Sequence, residues 1–154
     1  MIVEQQITTA KEIEVQFTEI TLLSKEEYLA NKDLISLRSW WWLRSPYPET
    51  SSYAGFVYDD GYISYDPTGS EDVYVRPALR YDLKSCNLRP GDKVEIAGYL
   101  WTVLRGGLIL CDEIAGSVPF RKDYKAEDAN IYETSDVKKY IEEWAKKQGI
   151  VFER

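Results

Sequence analysis

Three consecutive tryptophans, Trp40 to Trp42, restrict how this chain can fold. Side chains alternate between the two faces of a strand, so three adjacent indole rings cannot all enter one core. Each ring also carries a large apolar surface. We therefore predict that at least one ring points away from the main core, into a second layer or a groove. Two interpretations stay open: all three rings are core or boundary residues, or one of them is a platform for a ligand.

The segment after the tryptophans is acidic and rich in tyrosine. Between Arg44 and Arg76 it has six carboxylate residues, six of the twelve tyrosines, and no Lys or Arg. A surface with one sign of charge and many aromatic rings is either a solvated face or a binding face. The predicted binding residues are Tyr47, Tyr53, Asp59, Asp60, Tyr62, Asp66, Glu71 and Asp72.

A hairpin is expected in the middle of this segment. The sequence FVYD-DG-YISY places Asp60-Gly61 at a two-residue turn, which is a strong hairpin signal. This register pairs Phe56 with Tyr65 and predicts one buried face and one solvent face. The buried face would hold Phe56, Tyr58, Ile63 and Tyr65, and the solvent face Val57, Asp59, Tyr62 and Ser64. Asp59, Asp60 and Tyr62 at the tip are the first candidates for binding, and a plain solvated hairpin is the alternative.

Two segments carry the signals of helices. Ser24, followed three residues later by Glu27, forms a capping box and predicts a short helix from about Lys25 to Asn31. Near the C-terminus, apolar residues recur at helical spacing from Val137 to Ala145. They predict a second helix from about Ser135 to Gln148.

Further strands are expected on both sides of the acidic segment. Alternation from Ile13 to Phe17 predicts a half-buried strand within residues 2–20. One long strand is expected from Lys93 to Leu104, followed by a turn at Gly106-Gly107. The apolar run from Leu108 to Ile114 predicts a strand that is buried on both faces.

The mixture of hairpins with two helices predicts an α+β fold, and the length favours a single domain over residues 1–154. Residues 116–133 are expected to form a loop. Its larger apolar side chains, Phe120, Tyr124 and Ile131, are expected to pin that loop to the core.

Composition excludes several kinds of chemistry. The chain has no histidine, which removes histidine-dependent nucleophilic catalysis and histidine metal ligation. It has no glycine-rich phosphate loop. Cys111 lies in an apolar run and is expected to be a small core residue, and a bridge to Cys86 is not predicted. We therefore expect no enzymatic activity, no cofactor and no bound metal.

Charge and hydropathy bear on the partners. The net charge of −7 argues against direct nucleic-acid binding and is compatible with a basic protein partner. The apolar runs are too short to cross a bilayer, so we expect no membrane partner. The N-terminus lacks the basic and apolar regions of a signal peptide, which favours a cytoplasmic protein.

The motifs WWLRSP, Asp60-Gly61 and VRPAL resemble those of an uncharacterised family of bacterial and phage proteins. That family is similar to the C-type-lectin-like fold, in the branch that includes formylglycine-generating enzymes. The resemblance implies a compact α+β domain with a display surface between Ser39 and Leu79. The segments GYLWTVL and NIYETSDVKKYIEEW resemble the front half of the same family but follow WWLRSP here. The chain thus resembles a circular permutation of the family pattern. The cysteine pair of formylglycine-generating enzymes has no counterpart here.

Two functional hypotheses of different kinds follow. The first is a non-enzymatic binding module of phage or mobile-element origin, which presents tyrosines and acids to a protein or a glycan. Tyrosine suits such a surface because it gives contact area at low entropic cost. The second is an acidic phage-encoded inhibitor that mimics nucleic acid and occupies the basic groove of a host enzyme. Either would act in the host cytoplasm or on the virion. A purely structural domain is a third interpretation.

Overall fold

The computed structural model describes residues 7–9, 16–36, 39–82 and 88–152. These residues form nine strands, two α-helices and two short 3-10 helices. The strands are β1 (Ile7–Thr9), β2 (Phe17–Thr21), β3 (Trp41–Pro46), β4 (Tyr53–Val57), β5 (Ile63–Pro67), β6 (Ala78–Tyr81), β7 (Lys93–Ile96), β8 (Tyr99–Val103) and β9 (Leu108–Cys111). The α-helices are α1 (Lys25–Asn31) and α2 (Asp136–Lys147), and the 3-10 helices are Lys32–Leu34 and Tyr132–Thr134.

The strands form two sheets. The larger has six strands in the order β1-β7-β8-β9-β6-β2, and the smaller has three in the order β3-β4-β5. All described pairings between named strands are antiparallel except the pairing of β1 with β7. The predicted α+β class with antiparallel sheets and two helices is confirmed.

Both helices begin where the sequence signals place them. Ser24 accepts a hydrogen bond from the Glu27 amide, and the Glu27 side chain accepts one from the Ser24 amide, which completes the capping box of α1. Ser135 caps α2 by accepting from the Lys138 amide. Gly149 follows α2 with a φ of 77°, the left-handed conformation that favours glycine after a helix.

As predicted, the three tryptophans do not all enter one core. Trp42 lies in the larger cluster with Phe56, and Trp41 in the smaller one with Val57, on opposite faces of the three-stranded sheet. Trp41 and Trp42 are fully buried, whereas Trp40 is 38% exposed. Strand β4 is therefore covered on both faces.

The predicted hairpin register is wrong by one residue. Phe56 pairs with Ser64 and Val57 with Ile63, so the loop has three residues, Asp59, Asp60 and Gly61. The Tyr58 amide donates to the Tyr62 carbonyl at 2.8 Å and closes this loop. Gly61 has a φ of 92°, the geometry of a three-residue hairpin loop that ends in a glycine bulge.

The slip also overturns the predicted faces. Phe56 shares a face with Ser64, and Val57, which the predicted register places in solvent, is fully buried beside Ile63. A one-residue slip moves every side chain of one strand to the other face. The alternation could not fix the register, because both faces of β4 are buried and the strand has no polar face.

Other expectations between residues 88 and 134 need correction. Lys93 to Leu104 is not one strand, because Ala97 and Gly98, with φ of 55° and 82°, form a tight turn between β7 and β8. Phe120 is buried and pins the loop, but Tyr124 and Ile131 are 50% and 41% exposed.

The expectations for one strand and one cysteine can be compared with the structure, whereas those for another strand and for Cys86 largely cannot. Strand β9 is buried along its whole length, as predicted, but ends at Cys111. Cys111 is a buried free thiol. Most of the predicted strand at residues 13–17 lies outside the described residues, which omit 10–15. Cys86 also lies outside the described residues.

Glu27 joins α1 to two strands through charge. Its carboxylate accepts from Arg44 Nη1 at 2.5 Å and from Arg80 Nη2 at 3.0 Å. Burial alone would raise the pKa of Glu27. The hydrogen bonds from Arg44 and from the Ser24 amide, with the charges of Arg44 and Arg80, outweigh burial and lower the pKa from 4.5 to about 2.

We expect Glu27→Gln to lose about 1–2 kcal/mol of unfolding free energy at neutral pH, a value reduced for solvent screening of a partly exposed group. The glutamine oxygen can keep the capping-box bond from the Ser24 amide, but its nitrogen cannot accept from Arg80, so the change removes the charge and one acceptor. Because the folded-state pKa is lowered, the contribution is complete above pH 4.5 and disappears as pH falls towards about 2. Urea titrations of both proteins across this range test it, with Glu26→Gln as the exposed control. A gap that stays constant with pH would contradict the assignment.

Candidate functional site

An open groove of about 430 Å³ lies beside the exposed ring of Trp40. A smaller depression of about 270 Å³ shares Trp40 and Asp72 with it. We call the two together the Trp40 groove. Its lining consists of Ser39, Trp40, Asp59, Asp66, Pro67, Gly69, Ser70, Asp72, Tyr74 and Tyr124.

The Trp40 ring packs against two other aromatic rings. It lies edge-on to Tyr58, with ring centroids 5.5 Å apart, and 6.0 Å from Phe56. The Trp40 carbonyl accepts from the Tyr74 amide at 2.8 Å, and the Trp42 amide donates to the Tyr74 carbonyl at 3.0 Å. These contacts favour one position of the ring, which reduces the entropy lost when a ligand covers it.

Tyr124 forms part of the opposite wall because Gly69 lets it approach closely. A Cβ added to Gly69 would lie 3.0 Å from the Tyr124 ring. Lys125 Nζ lies 5.8 Å from the same ring. The prediction that Tyr124 pins a loop to the core is wrong, and its half-exposed ring instead faces the groove.

The groove carries uncompensated negative charge. The carboxylates of Asp59, Asp66 and Asp72 form no ion pair and no side-chain hydrogen bond with any residue that the structure describes. An exposed aromatic ring next to free carboxylates suits a cation, which gains both from the ring face and from the charges.

Asp60 and Tyr62 lie at the hairpin tip, beside a different depression. This depression, about 360 Å³, is lined by Lys25, Leu29, Lys32, Gly61, Tyr62, Ile63 and Tyr65, and we call it the lysine groove. Tyr62 is 70% exposed, and Lys32 Nζ lies 5.3 Å from its ring centroid. The Tyr28 hydroxyl donates to the Gly61 carbonyl at 2.8 Å and ties the tip to α1.

Tyr47 and Tyr53 belong to a third group. Their rings are 6.0 Å apart, and the Tyr65 ring lies 4.7 Å from Tyr47. The Tyr47 hydroxyl donates to the Glu49 carboxylate at 2.8 Å, a bond that raises the pKa of Tyr47. Glu71 is exposed and lines neither groove. The eight predicted binding residues thus lie on separate surfaces. Three of them, Asp59, Asp66 and Asp72, line the Trp40 groove.

Sequence reasoning missed the walls of the groove that come from distant segments. Tertiary packing places Tyr74 and Tyr124 beside Trp40, and no local sequence pattern predicts this proximity. The available signal was Trp40 itself. It precedes β3 and shares a face with Trp42, so its ring extends past the end of the buried strand.

A larger depression, of about 630 Å³, lies elsewhere, between β2, α2 and Gly149–Phe152. Its two carboxylates are both paired, Glu19 with Arg80 and Glu142 with Lys138. Nothing in its lining selects a particular ligand, so size alone does not make it the better site.

The described residues contain no group of three or more His, Cys, Asp or Glu side chains placed to hold a metal ion. Burial raises the pKa of Cys111 to about 12, so this thiol stays protonated and unreactive at neutral pH. No helix within the described parts of the chain is long and apolar enough to cross a membrane.

The fold and the groove define a small α+β domain with a preformed acidic and aromatic surface groove. Residues 4–83 match the family described as a domain of unknown function, DUF6273, and this match covers just over half of the 154 residues. The chain belongs to that family. No curated protein and no solved structure matches this chain.

Proposed function

We propose that this protein is a non-enzymatic binding module whose Trp40 groove receives a basic side chain of a partner protein. One observation carries the proposal: the exposed Trp40 ring lines a groove together with three carboxylates without described partners. A cation over an aromatic ring gains about 0.5–1 kcal/mol at exposed sites and about 2 when desolvated. Arginine fits best, because its planar guanidinium stacks on a ring and binds a carboxylate through two nitrogens.

The first experiment is an affinity capture from bacterial lysate with wild-type protein, Trp40→Ala, Tyr53→Ala and Tyr62→Ala. Trp40 and Tyr53 are 38% and 39% exposed, and Tyr53 lines neither groove, so Tyr53→Ala is the matched control. A specific partner should be lost from Trp40→Ala, with about tenfold weaker binding of the purified partner, and retained by Tyr53→Ala. Loss with Tyr62→Ala but not with Trp40→Ala would move the site to the hairpin tip and refute the groove. Recovery of glycans at low and high salt would favour a sugar-binding module.

An inhibitor that mimics nucleic acid is the second candidate, favoured by the net charge of −7 and the free carboxylates of Asp59 and Asp72. Such binding would fall steeply as salt rises, because charge attraction is screened. Asp59→Lys, Asp60→Lys and Asp72→Lys would each weaken it, whereas Trp40→Ala would not. Capture of a basic nucleic-acid enzyme at low salt only, with that pattern of variants, would favour the inhibitor over the binding module.

The finer fold is part of the same proposal. We propose a C-type-lectin-like scaffold of phage or mobile-element origin, acting in the host cytoplasm or on the virion, with the family elements in permuted order. Support comes from the bridge between Phe17 and Phe152, because adjacent segments of this kind can be reconnected by permutation. An experimental structure of a family member with the unpermuted order tests this. Strands that superimpose in a different spatial order would refute it.

A further inference from the structure

Strand β5 lies at an open edge of the three-stranded sheet. In the described parts of the chain it pairs with β4 alone, from Ile63 opposite Val57 to Pro67 opposite Tyr53. An edge strand presents backbone donors and acceptors that can pair with another chain. Pro67 ends this edge, because proline has no amide to donate.

The register shows which backbone groups face outward. The Tyr58 amide donates to Tyr62, and the Thr68 amide donates to Ser52, so residues 62 and 68 are hydrogen-bonded to the β4 side. Hydrogen-bonded pairs alternate along an antiparallel ladder. Ser64 and Asp66 therefore bond to β4, and the amides and carbonyls of Ile63 and Tyr65 point outward. No turn, loop or cap hydrogen bond in the described chain engages these two residues.

At β5, the two faces of the three-stranded sheet border grooves of opposite charge. Asp66 lies on the face that carries Phe56 and borders the Trp40 groove. Ile63 and Tyr65 lie on the other face and border the lysine groove, where neither Lys25 nor Lys32 forms an ion pair with a described residue. A strand added to β5 would direct successive side chains alternately towards the acidic and the basic groove.

We propose that the partner binds as an extended segment that adds to the outer edge of β5. Its Arg or Lys side chains enter the Trp40 groove, and the acidic side chains between them lie over the lysine groove. Backbone hydrogen bonds to Ile63 and Tyr65 supply affinity, and the alternating charges supply specificity. This inference rests on the proposed function and specifies its partner: a β-strand with period-two charge alternation.

A second copy of this chain fits the edge poorly. Two β5 strands paired antiparallel about a two-fold axis perpendicular to the sheet keep like faces together. The Trp40 grooves of both copies would then adjoin, and their free carboxylates, Asp66 included, would repel. A foreign segment with basic side chains on that face removes this repulsion.

The test uses a capped seven-residue peptide of alternating arginine and glutamate, added to the full-length protein. A peptide of the same composition in two blocks is the control for charge. Hydrogen exchange is followed by NMR at Ser64 and Asp66, protected already by β4, and at Ile63 and Tyr65, which exchange freely. The alternating peptide should slow exchange at Ile63 and Tyr65 by about tenfold or more at saturation and leave Ser64 and Asp66 unchanged. The block peptide should bind more weakly, without this protection.

Tyr65→Pro and Tyr65→Ala form a matched pair of variants. Both lose the ring, but only proline loses the outward amide, and an edge strand tolerates proline there. Tyr65→Pro should bind the alternating peptide about tenfold more weakly than Tyr65→Ala, with circular dichroism confirming that both are folded.

The outcomes of these experiments distinguish failure of strand addition from failure of the proposed cation-binding function. Equal affinity of the two variants, or binding without protection at Ile63 and Tyr65, would overturn strand addition and leave the Trp40 groove intact. Failure of both peptides to bind at low salt would overturn strand addition and the cation-binding groove together. Concentration-dependent dimerisation of the free protein, abolished by Tyr65→Pro, would assign the edge to a second copy.

Discussion

Arg76→Ala should unfold at a urea concentration far below that of the wild-type protein, with a loss of about 3–5 kcal/mol in unfolding free energy. Arg76 is fully buried, its Nε donates to the Cys111 carbonyl at 3.0 Å, and its Nη1 donates to the Ser36 carbonyl at 2.8 Å. Its guanidinium also lies 4.9 Å from the ring centroid of Trp41. Truncation to alanine leaves two carbonyls without their donors and a cavity beside that ring.

Arg105→Ala is the matched control for this loss. Arg105 likewise donates to a backbone carbonyl, that of Ala30, and it pairs with the Asp33 carboxylate at 2.9 Å, but both members of this pair are about half or more exposed. Exposed pairs contribute about 1 kcal/mol or less, so Arg105→Ala should barely shift the urea midpoint. Arg76→Met, which fills the space without donating, should lie between the two variants and keeps the test informative if alanine does not fold. Equal midpoints for Arg76→Ala and Arg105→Ala would show that the buried bonds contribute little.

The burial of Arg76 bears on what the family resemblance can show. Two of the segments that carry it, Trp41 to Leu43 and Val75 to Leu79, are buried, whereas Asp60 of the Asp60-Gly61 motif is exposed. Trp40 and the carboxylates around it lie outside these buried segments. Buried residues of this kind specify how the chain packs, whereas binding of the proposed partner would depend on surface residues such as Trp40.

Local signals predicted the local structure well. The capping box at Ser24 and Glu27 and the apolar stripe of α2 depend on contacts three or four residues apart, so a single sequence contains everything needed. The alternation of Trp41 and Trp42 followed from strand geometry for the same reason.

The hairpin and the groove could not be predicted in this way. A two-residue and a three-residue loop both place Gly61 at a positive φ, so the Asp60-Gly61 pair could not decide between them. The buried β4 offered no polar face to fix the register. The groove joins Trp40 to Asp72 and Tyr124, which come together only through tertiary packing. The many acidic residues between Arg44 and Arg76 indicated a charged surface. Their closeness in the sequence could not show that the folded chain places them on separate surfaces.

Asn130→Asp should be the most damaging single-atom substitution near the tyrosine cluster, with a loss of about 3–4 kcal/mol at neutral pH. Only 5% of Asn130 remains exposed, and its side-chain amide nitrogen donates to three carbonyls. These belong to Tyr47, Thr50 and Tyr53, at 3.2, 3.0 and 2.9 Å. A carboxylate of the same shape removes the donors and places negative charge against three oxygens.

The pH dependence distinguishes charge from lost packing. In the folded Asn130→Asp variant, burial and the three carbonyls disfavour the charged form, so the pKa of the introduced carboxyl lies above its unfolded value of about 3.9. The penalty is therefore complete above the folded-state pKa and shrinks as pH falls towards the unfolded one. Asn130→Ala, which loses the same bonds without adding charge, should cost about 1–2 kcal/mol with no such dependence. Urea titrations of both variants from neutral to acid pH should thus converge. Curves that stay parallel would mean that the loop between Tyr47 and Tyr53 shifts away from the introduced carboxylate, and that the Asn130 amide does not hold this loop in place.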